Sequence, residues 1–202
     1  MTSHAEAAHG HHGPPTANRS SRIDPATLVM FLFIASEAML FGSFFAAYFF
    51  VRVVNPSAGE WPPPPFEFPI FVAGVNTAIL VTSSFTMHWA SLSIRRNDRA
   101  GMKAGLVLTI LLGLAFLTTQ GIEYAHVGFN TSDGAFASAF FGLTGLHGAH
   151  VFVGLTLLTI AAVRAFRGHF SPEHHHGLEI PGIYWHFVDV MWIVVYTTVY
   201  IL

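Results

Sequence analysis

The most regular feature of the sequence is a succession of long apolar blocks separated by short polar segments. Each block is close to the ~20 residues that a helix needs to cross the hydrocarbon core of a bilayer. The predicted spans run from about residue 27 to 51, 70 to 94, 103 to 124, 135 to 164 and 183 to 202. The strands of a membrane β-barrel would be shorter, and apolar and polar residues would alternate along them. The pattern therefore predicts an all-α integral membrane protein, a bundle of five transmembrane helices.

The first 24 residues break this pattern, because they are polar, His-rich and Pro-containing. They lack the apolar core of a signal peptide, so we predict a disordered tail at 1–24 and a single membrane domain at 25–202. Short His tracts such as His9 to His12 are only a weak signal for metal binding. The run from His174 to His176 is predicted to lie in a solvated loop.

Basic residues indicate the orientation, because Lys and Arg collect in cytoplasmic loops. The chain has nine Lys and Arg residues. All but Arg52 lie on one side of the membrane in the predicted topology: Arg19, Arg22, Arg95, Arg96, Arg99, Lys103, Arg164 and Arg167. The amino terminus is predicted to be cytoplasmic and the carboxyl terminus to lie outside, in the periplasm.

Composition supports the membrane assignment and excludes several chemistries. The chain is 52% hydrophobic and 10% charged, against roughly 25% charged in soluble proteins. It contains no cysteine, which excludes disulfides, thiolate metal sites, iron–sulfur clusters and a cysteine nucleophile.

Several ionisable residues lie inside the predicted spans, where a central charge costs roughly 2.5–3.5 kcal/mol and usually has a function. They are Glu37 in the first span, His147 and His150 in the fourth, and His186 and Asp189 in the fifth. Residues three apart share a helix face, so we predict two inward-facing pairs that join Glu37 in a buried ionisable network.

Two interpretations of this network stay open at the level of sequence. The groups hydrogen-bond across helices and fix the packing, or Glu37 is a protonatable group that exchanges protons. A metal site is not predicted, because the Glu-x-x-His pattern of di-iron bundles occurs only at Glu123 to His126, and the His147/His150 pair has no evident partner other than His88. Small residues at Gly142, Gly145, Gly148 and Gly154 predict close approach of another helix to the fourth span.

Several motifs together resemble one family, subunit III of the haem–copper terminal oxidases, in the short five-helix bacterial form of cytochrome c oxidase subunit III. The motifs are Ser36-Glu37 with Met39 and Phe41, Trp61-Pro62-Pro63, Asn76-Thr77 with Ser83-Ser84, Gln120 with Glu123-Tyr124, the segment 144–151 around His147 and His150, and the segment 184–189 with Trp192.

The resemblance implies a subunit that carries no haem and no copper, since the redox chemistry belongs to subunits I and II. It implies a bacterial inner-membrane protein that stabilises subunit I and sustains its proton uptake, with phospholipid bound between helices. Neither a nucleic acid nor a small-molecule substrate is expected. Glu37 matches the family carboxylate that reacts with carbodiimides, and Gln120 and Glu123 are secondary site candidates. The longer family form has two further helices before the first span, so here another subunit lines the lipid cleft or lipid binds less firmly.

Four other functions are compatible with the same residues. Two are close relatives, a subunit of a quinol oxidase and a subunit of a nitric oxide reductase. The others are a small transporter or channel, in which the polar groups line a path, and a self-contained metalloenzyme.

Overall fold

The structure, a computed structural model, describes residues 25–54, 70–170 and 176–202, and these ranges contain helices and no strand. The helices are α1 (Pro25–Val54), α2 (Ile70–Arg95), α3 (Arg99–His126), α4 (Ala135–Phe166) and α5 (His176–Tyr196), followed by a π-helical turn at Thr197–Ile201. The predicted tail, the Trp61 to Pro65 loop and most of the 174–176 histidine run lie outside the described residues. All five helices are long and apolar enough to cross a membrane, which confirms the predicted fold class.

The last helix departs most from its predicted bounds. We expected it to begin at Ile183, but α5 begins at His176 and contains Pro181 in its second turn. A proline cannot donate the backbone hydrogen bond at its own position, but α5 continues past Pro181 to Tyr196. In consequence, His186 and Asp189 lie near the middle of the last span and not in its first turns.

Turn chemistry explains why α3 begins and α4 ends where they do. The Asp98 side chain accepts a hydrogen bond from the Gly101 N–H at 2.9 Å, which caps α3. Just after α4, Gly168 has φ +78°, and the His169 N–H donates to the Arg164 carbonyl at 3.1 Å. Glycine adopts this left-handed conformation without a steric penalty.

The helices run alternately up and down, with α2 and α3 forming the most extensive pair. Helix α5 packs against α1, α2 and α4, whereas α1 packs mainly along α4 and α5. Two of the thirty residues of α1, Phe41 and Tyr48, are buried within the chain. At the far end of α1, Arg52 donates a hydrogen bond to the Leu202 carbonyl at 2.5 Å. Helix α1 is therefore the peripheral member of the bundle.

A tryptophan of α5 contacts three other helices at the centre of the bundle. The Trp185 ring of α5 packs directly against two glycines. A Cβ added to Gly113 of α3 would lie 2.6 Å from the ring, and one added to Gly154 of α4 would lie 2.9 Å from it. Its indole N–H donates to Ser83 of α2 at 3.0 Å. The predicted close approach to α4 is confirmed at Gly154.

The other predicted glycines of α4 are less tightly packed. A Cβ on Gly142 would lie 3.2 Å from Phe44 of α1. At Gly145 and Gly148 the nearest atoms would be 3.9 and 4.0 Å away, which is ordinary van der Waals contact. Close packing along α4 therefore depends on what faces each glycine and not on the stripe itself.

Candidate functional site

The clearest polar contact inside the bundle joins α1 to α4. His150 Nε2 lies 2.9 Å from Glu37 Oε2, and the two side chains are 10% and 18% exposed. Glu37 is near the middle of α1, and Phe41, one turn further along, places its ring 4.9 Å from the His150 ring. The pair therefore lies within the membrane, largely shielded by apolar side chains.

Hydrogen-bond geometry fixes how many protons this pair holds. His150 Nδ1 lies 2.8 Å from the Leu146 carbonyl oxygen, which can only accept, so Nδ1 carries a hydrogen. If the imidazole is neutral, Nε2 is an acceptor and the Glu37 carboxyl must donate. If the imidazole is charged, Nε2 donates to a carboxylate. In both states one proton lies between Glu37 and His150.

His147, predicted to share this network, lies elsewhere in the bundle. It is fully buried, with its ring 4.7 Å from Trp192 and 5.6 Å from Phe116. Neither ring nitrogen has a hydrogen-bond partner among the described residues. His147 therefore fills an aromatic core and is not bonded to Glu37.

The predicted pair in α5 is also separated. His186 Nδ1 lies 2.7 Å from the Ser84 hydroxyl of α2, and so bonds across helices. The Asp189 carboxyl is 4% exposed, and neither of its oxygens has a hydrogen-bond partner in the part of the chain that the structure describes. An intrahelical His186–Asp189 bond is thus not formed.

The secondary candidates Gln120 and Glu123 lie at the interface of α3 with the end of the chain. The Tyr200 hydroxyl donates to Glu123 Oε1 at 2.7 Å, and Gln120 is 3% exposed. Tyr200 belongs to the π-helical turn, a deviation that often occurs at functional sites. This contact is a third polar position, apart from the Glu37–His150 pair and the Ser84–His186 contact.

The five predicted residues are therefore not one network. The structure brings together Glu37 and His150, and it places His147, His186 and Asp189 at other positions. Within residues 25–54, 70–170 and 176–202, no three His, Asp or Glu side chains converge in a way that could hold a metal ion.

Comparison with known proteins gives these residues a context. A family model described as cytochrome c oxidase subunit III matches residues 6–202. The chain belongs to the cytochrome c oxidase subunit III family. It is 39% identical over 180 residues to "Cytochrome c oxidase subunit 3" of Thermostichus vulcanus, covering 89% of this chain and 88% of that protein.

Two further relatives with the same name support the assignment to the subunit III family. The protein of Synechocystis sp. is 41% identical over 197 residues, or 96% of this chain and 80% of the relative. That of Gadus morhua is 41% identical over 199 residues, or 95% of this chain and 72% of the relative. With five helices able to cross a membrane, this member of the subunit III family is a multi-pass membrane protein.

Sequence reasoning missed two partners in this subunit III chain, Ser84 and Tyr200. Ser84 lay inside a family motif, but a serine in a membrane helix usually bonds to its own backbone. Ser83, its neighbour, bonds the Leu80 carbonyl at 2.6 Å in this way. Tyr200 gave no signal, because the π-helical turn that positions it has no recognisable sequence pattern.

Proposed function

We propose that this chain is the accessory subunit III of a proton-translocating respiratory cytochrome c oxidase in a bacterial cell membrane. It holds no haem or copper, which belong to subunits I and II. It stabilises subunit I and supports proton uptake while the complex passes electrons to oxygen. Its amino terminus faces the cytoplasm, and phospholipid covers part of its outer surface. Membership of the subunit III family supports the assignment to an oxidase.

The Glu37–His150 pair is the observation that supports a proton-related role. A carboxyl and an imidazole at 2.9 Å hold one proton between them, and that proton can move from one atom to the other without changing the net charge of the pair. A proton shared between a carboxyl and an imidazole near the middle of the membrane is suited to proton relay or storage.

The first experiment identifies the complex. Purifying the tagged chain in mild detergent should bring a haem-containing subunit I and a copper-containing subunit II with it in equal amounts. A subunit II that binds no copper would favour a quinol oxidase or a nitric oxide reductase. Solute or proton flux through vesicles that contain the purified chain alone would contradict the accessory role.

The second experiment tests the proton role with Glu37→Ala and Glu37→Gln. The glutamine amide can still donate to His150 Nε2, so it retains the hydrogen bond but has no exchangeable acid. Both variants should assemble with subunit I and should stop consuming oxygen sooner than wild type during continuous turnover. If Glu37→Gln keeps the wild-type lifetime while Glu37→Ala does not, the pair only supports packing.

A further inference from the structure

A groove runs between α2 and α5 on the outer surface of the bundle. It has a volume of about 290 Å³. Its walls are apolar and come from Val81 and Phe85 of α2 and from Val190 and Ile193 of α5. Phe85 is 71% exposed and Val190 57% exposed, so the groove opens to the surroundings of the chain.

The floor of the groove is polar. Ser84 and His186, joined at 2.7 Å, lie beside Asp189, and His88 lies at one end. Asp189 lines the groove, yet it is 4% exposed and both of its oxygens make no hydrogen bond to the described residues. The Ser84 hydroxyl lies near Asp189, and the hydrogen bond that it forms at 2.7 Å is with His186 Nδ1. The α2–α5 groove therefore contains a buried carboxyl group that can accept a hydrogen bond from a donor outside the described residues.

The depth of Asp189 restricts what that partner is. It is the central residue of the span Gly177–Ile201, so it lies far from the headgroups and from bulk water. Lipid acyl chains fill this depth but cannot donate a hydrogen bond. Leaving a buried polar group unpaired costs about 1–3 kcal/mol, so a hydrogen-bond donor carried by a protein segment would be favoured here.

The walls indicate what kind of segment would carry the donor. Residues 81 and 85 of α2 are one turn apart, as are residues 186 and 190 of α5, so the two helices present parallel ridges with a channel between them. A third helix can pack its side chains into a channel of this kind. A helix is also suited to this depth in the membrane, because all of its backbone hydrogen bonds form within the helix itself.

We propose that the α2–α5 groove receives a transmembrane helix of another oxidase subunit, and that a side chain of this helix donates a hydrogen bond to Asp189. The inference rests on the proposed function and adds to it the surface through which the chain binds its partner. The helix covers Phe85 and Val190, and the interaction combines apolar packing with one directional contact at the centre of the membrane.

Site-specific crosslinking in the purified oxidase tests the groove, because the chain has no native cysteine. A photoreactive benzophenone maleimide is attached to the Phe85→Cys variant, at the rim of the groove. As a control, it is attached to the Phe152→Cys variant, whose position is 63% exposed on α4 and away from the groove. Illumination should join the label at position 85 to a partner polypeptide, identified by mass spectrometry. An adduct with lipid alone would overturn the proposal.

Substitution of Asp189 gives an independent readout. Asp189→Leu, which cannot accept a hydrogen bond, should lower the yield of the adduct at position 85, while Asp189→Asn should retain it. The reaction of the control label at position 152 should not change in either variant. A changed reaction at position 152 would show that the Asp189 variant is misfolded. The proposal is then judged from the adduct that the Phe85→Cys variant forms with Asp189 intact. An unchanged yield at position 85 in a folded Asp189→Leu complex would also overturn the proposal.

The two proposals fail in distinguishable ways. A chain that purifies without a haem-containing subunit contradicts the proposed function and with it the groove. A complete oxidase in which the label at position 85 reacts only with lipid contradicts the groove alone.

Discussion

At the scale of single residues, His147 and His150 show how two neighbours on one helix come to have different surroundings. They are three residues apart, and at 3.6 residues per turn their side chains differ in direction by about 60°. In a bundle this is enough for one to point at α1 and the other at the aromatic core. His150 reaches Glu37, whereas His147 contacts Trp192 and Phe116. Face sharing within a helix therefore does not imply a shared partner.

The packing of His147 leads to a prediction about its replacement. His147→Phe keeps a ring between Phe116 and Trp192 and removes two nitrogens that have no partner among the described residues. It should leave the stability of the complex unchanged or raise it slightly. His150→Phe, in contrast, removes the partner of Glu37 and should lower the free energy of unfolding by about 1–3 kcal/mol.

Thermal unfolding of the two purified variants checks this difference. An equal loss of stability in both would mean that His147 makes a polar contact of its own.

The identities of the site residues could be predicted from the sequence, but their contacts could not. Glu37 and His150 are readable from sequence, because an ionisable residue inside an apolar block is rare. Their pairing is not, since it depends on which helices become neighbours across 113 residues of sequence. The surroundings of Asp189 likewise depend on the position of α2, because Ser84 of that helix lies 2.7 Å from His186 Nδ1 and neither Asp189 oxygen has a hydrogen-bond partner among the described residues.

At the scale of helices, apolar length predicts the spans and says little about their irregular ends. Helix α5 begins seven residues before its predicted span, and Pro181 lies inside the helix and not before it. The π-helical turn at Thr197–Ile201 continues the same apolar stretch, and no residue type marks the change. The π-helical turn is associated with tertiary contacts such as the one between Tyr200 and Glu123. A local sequence pattern contains no information about such contacts, so it does not predict the turn.

Close packing around Trp185 gives a prediction for α3. Gly113→Ala would place a Cβ 2.6 Å from the Trp185 ring and 2.8 Å from Leu155. Overpacking of this kind costs about 1–3 kcal/mol, more than the up to ~1 kcal/mol that alanine gains over glycine in a helix. The variant should unfold at a lower fraction of denaturing detergent than wild type.

A matched control lies two turns further along α3. A Cβ on Gly121 would meet no atom of the described residues within 4 Å, so Gly121→Ala should be neutral or stabilising in the same titration. Equal behaviour of the two alanine variants would show that Trp185 can move aside.

At the scale of the whole molecule, the basic residues lie mostly at one end of the bundle. This end of the described helices carries Arg95, Arg96, Arg99, Lys103, Arg164 and Arg167, and the other carries Arg52. Lys and Arg are retained on the cytoplasmic side of a membrane, so the orientation with the α2–α3 turn inside stays our prediction.

Labelling of single-cysteine variants tests this orientation. His169→Cys follows α4 at the Arg-rich end, and Thr131→Cys lies in the α3–α4 loop at the opposite end; both positions are exposed. A membrane-impermeant maleimide is added to cells whose outer membrane has been permeabilised and whose inner membrane is intact. It should label the Thr131→Cys variant and not the His169→Cys variant. Inverted membrane vesicles should show the opposite pattern. Labelling at position 169 from outside would reverse the proposed topology.

The peripheral position of α1 has a consequence for the biogenesis of the protein. Helices α2 and α3 are joined by a three-residue turn and can close as a hairpin as soon as both are synthesised, because short loops close at the lowest entropic cost. Helix α1 has no such neighbour. It must wait in the bilayer until α4 is inserted, and throughout that interval Glu37 lacks His150. Closure of the Glu37–His150 bond is thus a late event, completed only when most of the chain has left the ribosome.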